Sequence, residues 1–106
     1  MTRYSVRLTR EAQDDLTRLF EHVLERELAS PSGRIELAEE ALDAIHEGFR
    51  LLERFPFTCR KVGASPSLRE LVIPFGATGY VALFEIGDAY NVTVAAVRHQ
   101  REEDFH

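Results

Sequence analysis

A strand gives way to a helix near the start of the chain, in the stretch Tyr4-Ser5-Val6-Arg7-Leu8-Thr9-Arg10-Glu11-Ala12-Gln13-Asp14-Asp15-Leu16. Apolar and polar residues alternate from Tyr4 to Leu8, which is the period-two pattern of a half-buried strand. Thr9 is a residue type that caps helices, and Glu11 complements the helix dipole in a first turn. The stretch therefore predicts a strand that leads directly into a helix over residues 10–28.

Two amphipathic helices are predicted in the first half of the chain. The first carries one apolar stripe, formed by Ala12, Leu16, Leu19, Phe20, Val23, Leu24 and Leu28. Proline and glycine break the pattern at residues 29–33, where Ser30 or Ser32 is positioned to cap the second helix. The second stripe is formed by Ile35, Ala38, Leu42, Ile45, Phe49 and Leu52. Pro56 stops this helix. Because the second stripe has a heptad-like spacing of three and four and the loop before it is short, we expect an antiparallel helical hairpin.

Beyond Pro56 the apolar pattern changes to extended runs, which begin at Leu68, Tyr80 and Val92. Residues 76–79 and 87–91 separate these runs and contain the turn-forming types glycine, aspartate and asparagine. The last two runs are apolar on both faces, which predicts interior strands. The order β-α-α-β-β-β predicts an α+β fold, with a helical hairpin packed on a small, mainly antiparallel sheet in one domain over residues 1–106.

Composition places the chain among folded proteins of ordinary polarity. Its 106 residues are 44% hydrophobic and 29% charged, with a formal net charge of −5. That charge argues against a general nucleic-acid binder, because such binding needs a dense cationic surface. No apolar run reaches the ~20 residues of a membrane span, and the first residues lack the hydrophobic region of a secretory signal. We therefore expect a cytoplasmic protein that does not enter a membrane.

The sequence holds few residues for metal or covalent chemistry. The single cysteine, Cys59, cannot form an internal disulfide or a multi-cysteine metal site, and we expect it to be a small buried hydrophobe. His22 and His46 lie beside the helical apolar stripes, without the H-E-x-x-H spacing of a zinc site. Since no phosphate loop or dinucleotide fingerprint occurs either, we expect neither a metal nor a cofactor.

Five basic residues lie at the strand ends of the predicted sheet. Residues 1–54 carry 8 basic and 12 acidic side chains, whereas the cations of the second half lie at strand ends: Arg60, Lys61, Arg69, Arg98 and Arg101, with His99 among them. Such a cluster could hold an RNA phosphate and stabilise its transition-state charge. It could equally bind acidic side chains of a protein partner, or deter aggregation at sheet edges. The residues alone leave these three alternatives open.

Three segments, in this order along the chain, carry a family resemblance. They are Leu8-Thr9-Arg10-Glu11-Ala12-Gln13-Asp14-Asp15-Leu16, then Cys59-Arg60-Lys61-Val62-Gly63 followed by Leu68-Arg69-Glu70-Leu71, and finally Val94-Ala95-Ala96-Val97-Arg98-His99-Gln100-Arg101-Glu102-Glu103-Asp104-Phe105. Together they resemble the RelE/ParE superfamily of type II toxin–antitoxin toxins. The resemblance implies one fold with two main activities. RelE-like toxins cut mRNA in the ribosomal A site without a metal, and ParE-like toxins poison DNA gyrase.

The chain resembles the ParE-like branch more closely. Carried over by position, the residues of a RelE-like nuclease site would be Lys61, Arg69, Arg98 and His99. Such nucleases typically place a tyrosine or histidine just past the last strand. Here no tyrosine follows Tyr90, and the candidates are His99 and His106. Together with the acidic net charge, this favours a toxin that inhibits gyrase by binding it. The resemblance implies roles in plasmid stabilisation and growth arrest. The alternatives are a RelE-like ribosome-dependent endoribonuclease and a non-toxic interaction module.

The resemblance also implies a protein partner. ParE-like toxins are held by an antitoxin, here expected to be ParD-like, whose C-terminal segment wraps the toxin. That segment lays a helix into an apolar groove and can add a strand to the sheet. Such segments are commonly acidic and disordered until bound. The expected antitoxin contacts are Arg60, Lys61, Arg69, Arg98, Leu16, Phe20 and Leu24. No sequence-specific DNA binding by the toxin itself is expected.

Overall fold

The computed structural model describes residues 3–101, which form two α-helices and a five-stranded sheet. The elements are β1 (Ser5–Leu8), α1 (Arg10–Leu28), α2 (Glu36–Leu52), a 3-10 turn (Pro56–Thr58), β2 (Arg60–Lys61), β3 (Leu68–Phe75), β4 (Thr78–Ile86) and β5 (Asn91–His99). The sheet order is β1-β5-β4-β3-β2, with β1 parallel to β5 and the other neighbours antiparallel. The predicted α+β fold is confirmed. The two-residue β2 is an edge strand that the apolar pattern did not predict.

The helices cover one face of the sheet, and the hydrophobic core lies between them. Its main members come from both helices and from β3, β4 and β5: Ala12, Leu19, Ile45, Phe49, Leu71, Ile73, Tyr80, Phe84, Val92, Val94 and Val97. The prediction that the last two strands are interior is confirmed. Within residues 3–101, neither helix is long and apolar enough to cross a membrane.

Thr9 fixes the start of α1 and joins it to β5. Its Oγ1 accepts the Ala12 N–H at 3.1 Å, which is the predicted helix cap. The same hydroxyl donates to the Ala95 carbonyl at 3.1 Å, and the Thr9 N–H donates to the Val94 carbonyl at 3.0 Å. One residue therefore caps the helix and continues the hydrogen bonding of β5 beyond the end of β1.

A bulge in β5 lies beside that junction. The register of β4 against β5 shifts between Leu83 and Phe84, which leaves Ala95 without a partner residue in β4. Asp15 of α1 is only 5% exposed, and its Oδ2 accepts the Val97 N–H at 2.9 Å. Side chains of α1 thus supply β5 with hydrogen-bond partners where the strand ladder is interrupted.

The connection between the helices differs from its prediction. Neither Ser30 nor Ser32 caps α2, because the helix begins later, with Ile35 as the N-cap and no side-chain cap. Instead, the Glu27 carboxylate reaches across the turn and accepts the Arg34 N–H at 2.9 Å. That hydrogen bond is the main reason why the pKa of Glu27 lies below its ordinary value. The longer turn also leaves Ile35, which was predicted in the apolar seam, 50% exposed.

Left-handed backbone shapes both turns that connect β3, β4 and β5. Gly76, at φ 61°, begins the two-residue turn after β3, where glycine adopts this conformation without a side-chain clash. In the turn after β4, Ala89 and Tyr90 take φ values of 54° and 59°. Left-handed backbone costs a non-glycine residue about 1–2 kcal/mol. The Ala89-Tyr90 turn is therefore strained.

Asp15→Ala is expected to lower the free energy of unfolding by about 1–3 kcal/mol, because the buried Val97 N–H loses its acceptor. Asp14→Ala is the matched control, since Asp14 is the exposed neighbour on the same helix, and its loss should change stability by less than about 0.5 kcal/mol. Urea denaturation followed by circular dichroism measures both variants. Equal stability of the two would contradict the role given to Asp15.

Ala89→Gly is expected to raise the free energy of unfolding by about 1 kcal/mol, because glycine removes the Cβ clash at positive φ. Ala77→Gly is the control: Ala77 sits in the other turn without a positive φ, so glycine there should lower stability by up to about 1 kcal/mol through unfolded-state entropy. Thermal denaturation compares the two. A lower midpoint for Ala89→Gly than for the parent chain would refute strain at this turn.

Candidate functional site

Arg69 is the most buried of the predicted basic site residues, at 8% exposure. It lies on β3 opposite Phe84, on the face that the helices cover. Its Nη1 donates to the Phe57 carbonyl at 3.0 Å and to the Cys59 carbonyl at 2.7 Å, and its guanidinium lies 5.3 Å from the centre of the Phe57 ring. Arg69 therefore holds the segment before β2 against the sheet.

Arg60 and Lys61 form the edge strand β2. Arg60 lies opposite Glu70 and donates to its Oε1 from Nε at 3.1 Å and from Nη2 at 2.8 Å. Lys61 lies opposite Arg69 and is exposed. Both side chains are thus presented at the rim of the sheet, where a partner can reach them.

Arg98 and His99 are neighbours on β5 and point to opposite faces. His99 lies opposite Tyr80 on the helix-covered face, with its Nε2 3.0 Å from Thr78 Oγ1. The Arg101 N–H donates to His99 Nδ1 at 3.1 Å, which assigns the ring proton to Nε2. Arg98 points away from the helices, and its Nη1 donates to the His99 carbonyl at 3.2 Å.

The four residues of the alternative nuclease prediction are not brought together. Arg69 and Arg98 lie on opposite faces of the sheet. Arg69 and His99 share a face, but their β4 partners, Phe84 and Tyr80, are separated by about 13 Å along the strand. Lys61 neighbours Arg69 alone. One phosphate group cannot contact Arg69, Arg98 and His99 in this arrangement.

An apolar groove of about 720 Å³, hereafter the α2–β3 groove, runs between α2 and β3. Two large apolar side chains lie open to solvent in it, Leu51 (44% exposed) and Phe55 (48%). Val72 (42%) lines the groove at the strand edge, and its side chain is on the face of the sheet away from the helices. β2 pairs only with the first part of β3, so residues 71–75 present an outer edge without a strand partner in the described chain. Exposed apolar side chains beside an open strand edge are typical of a protein-binding surface.

Leu16, Phe20 and Leu24 form a separate row on α1. All three are half-buried, and Leu16 packs against the core. None of them lines the α2–β3 groove. The apolar surfaces predicted from α1 and found beside α2 are therefore distinct.

A second pocket, of about 550 Å³, opens between α1 and the ends of β4 and β5. We name it the cationic pocket after its arginines; Arg18, His22, Arg26, His99 and Arg101 line its walls. His22 was predicted at a helix edge, and the pocket itself was not predicted. Spacing at i, i+4 and i+8 puts the first three on one helix face, which was the available sequence signal. The opposite wall is formed by the ends of β4 and β5, and its residues come together only through the register of these strands, which the sequence pattern does not give.

Cys59 is half-buried, in keeping with its prediction as a small hydrophobe. Burial raises the pKa of its thiol above the ordinary value, although the nearby Arg69 charge opposes this. Within residues 3–101, no group of three or more His, Cys, Asp or Glu side chains is arranged to hold a metal ion. The remaining histidine candidate, His106, lies outside the described residues.

Comparison with known protein families identifies the family of this chain. A family model described as the ParE toxin of the type II toxin–antitoxin system parDE matches residues 6–104. The chain belongs to this ParE toxin family. The resemblance carried by its three sequence segments is thereby confirmed, and the chain is a type II toxin–antitoxin toxin of the ParE/RelE superfamily. No curated protein matches the sequence.

Solved structures share the fold of this ParE-family chain. A chain of the chromosomal ParDE toxin–antitoxin system from P. aeruginosa is 18% identical, with a TM-score of 0.69 over 91% of this chain and 95% of that one. A chain of the RelBE2 toxin–antitoxin complex from Mycobacterium tuberculosis is 25% identical, with a TM-score of 0.55 over 96% and 97%. A chain of the intact E. coli RelBE toxin–antitoxin complex is 16% identical, with a TM-score of 0.54 over 94% of this chain and 99% of that one.

Proposed function

We propose that this chain is a toxin that inhibits DNA gyrase by binding it, and that a cognate ParD-like antitoxin neutralises it. The observation that carries the proposal is the match to the ParE toxin family across residues 6–104. The separation of Arg69 and Arg98 on opposite faces of the sheet supports action by binding rather than RNA cleavage. The net charge of −5 also supports a protein target over ribosomal RNA.

The α2–β3 groove is the proposed seat of the antitoxin's apolar residues. Leu51 and Phe55 project from the end of α2, and Val72 lies on the neighbouring strand. An amphipathic segment lying there would cover Leu51 and Phe55, and an extended one would also pair with the open edge of β3, where Val72 lies. Pro74 lacks an N–H on that edge, so such pairing would be short.

Charge at the rim of the groove favours an acidic segment. Arg3, Arg50 and Arg54 outnumber Glu47 and Glu53 among the residues that line the groove. Arg50 is paired with Glu47 at 2.5 Å, and Arg3 and Arg54 form no ion pair within residues 3–101. Arg60 and Lys61 extend this positive rim along the sheet edge. These two remain proposed antitoxin contacts, together with the α1 row of Leu16, Phe20 and Leu24 and the sheet arginines Arg69 and Arg98.

Purified toxin is expected to block supercoiling of relaxed plasmid by gyrase, and to leave ribosome-bound mRNA uncut in primer extension. Preincubation with the cognate antitoxin is the control, and it should restore supercoiling. Unaffected supercoiling at several-fold molar excess of toxin would overturn the proposal. Cleavage of mRNA in the ribosomal A site under the same conditions would instead assign the RelE-like activity.

The double substitution Leu51→Ser with Phe55→Ser is expected to weaken antitoxin binding by about 30-fold or more, because two exposed apolar side chains no longer leave water on binding. Leu28→Ser with Ile35→Ser is the matched control. These residues are also large, apolar and exposed, but they lie at the connection between the helices. Isothermal titration calorimetry measures both pairs, and equal affinities would place the antitoxin elsewhere.

A further inference from the structure

The cationic pocket concentrates basic side chains in a chain that is acidic overall. Arg18, His22 and Arg26 of α1 face Tyr80, His99 and Arg101 across a volume of about 550 Å³. No acidic side chain lines the pocket among the described residues. Gathering three guanidinium groups around one opening raises their mutual repulsion, and an anion between them would relieve it.

Two of the three arginines, Arg26 and Arg101, have donor nitrogens outside their hydrogen bonds within residues 3–101. Arg26 pairs with Glu27 through Nε, at 3.0 Å, so this ion pair does not use its two Nη nitrogens. The Arg101 backbone N–H is committed to His99, whereas its guanidinium makes no ion pair within residues 3–101. Arg18 lies 3.8 Å from Asp15, which is a longer and weaker ion pair. Arg26 and Arg101 are therefore the principal donors.

The floor of the pocket is aromatic and partly apolar. Tyr80 is 3% exposed, and its ring packs edge-on against the His99 ring at 5.7 Å between centres. Burial raises the pKa of the Tyr80 hydroxyl, and the charge of Arg26 opposes this. Leu19 and Val23 complete the wall along α1. A ligand here meets cations at the rim and apolar surface beneath them.

We propose that the cationic pocket binds a small phosphate monoester of about mononucleotide size. A guanidinium offers paired N–H donors that match phosphate oxygens, and the two of Arg26 and Arg101 suit a dianion with three terminal oxygens better than one carboxylate. The apolar floor fits the organic part of such an ester. A long nucleic acid is disfavoured, because outside the pocket it would meet the acidic side chains of α1, including Glu21 and Glu25. The site goes beyond gyrase and antitoxin binding.

AMP and inorganic phosphate are the probes, with adenosine as the uncharged control, titrated into isotopically labelled full-length chain in low-salt buffer. AMP is expected to bind with Kd below about 1 mM, phosphate more weakly, and adenosine not at all. Amide shifts should centre on residues of the pocket walls. Arg26→Gln with Arg101→Gln should weaken AMP binding by about tenfold or more. Arg7→Gln, an exposed arginine of β1 outside the pocket, should leave it unchanged.

Several outcomes would overturn the site. No shift with AMP or phosphate up to about 10 mM, equal binding of adenosine and AMP, or undiminished binding by the double variant would each do so. Binding of a glutamate-rich peptide in the pocket without AMP binding would also refute it, and would assign the surface to a protein partner. Circular dichroism checks that the variants are folded. The readout is ligand binding alone, so failure here leaves the proposed gyrase inhibition standing.

Discussion

The fold depends on how β5 is hydrogen-bonded after its neighbour β1 ends at Leu8. Beyond that point the start of α1 takes over, with Thr9 holding the carbonyls of Val94 and Ala95 and Asp15 holding the Val97 N–H. A buried carboxylate is costly to desolvate unless it has such a partner. The arrangement fixes where α1 lies over the sheet. It therefore sets the distance between the helix and the strand ends that form the cationic pocket.

The bulge at Ala95 also decides which residues can act together. Regular alternation along β5 would place Arg98 on the same face as Val94, and hence on the face of Arg69. The extra residue shifts the alternation by one, so Arg98 faces away and His99 turns toward the helices. A single inserted residue thus places Arg69 and Arg98 on opposite faces of the sheet, although regular alternation would place them on the same face.

Local features of the sequence were predictable, and long-range ones were not. The Thr9 cap follows from residue type and position, and the hairpin turns follow from their glycine and asparagine content. The sequence does not distinguish Asp15 from the other carboxylates of an amphipathic helix, because its hydrogen-bond partner, Val97, lies 82 positions away. β2 has only two residues, too few for any period to be visible. The basic residues could be named from the sequence, but their grouping required the register of three strands.

The burial of Arg69 bears on how genetic data for this toxin should be interpreted. A screen for mutants that have lost the proposed growth arrest would recover Arg69 substitutions readily, since losing its bonds to the Phe57 and Cys59 carbonyls loosens the segment that carries the edge strand. Such alleles report on protein abundance rather than on contact with the target. Lys61, its cross-strand neighbour, is exposed, so its substitution is not expected to destabilise the fold. A loss of function caused by a Lys61 allele would therefore report on binding of the target.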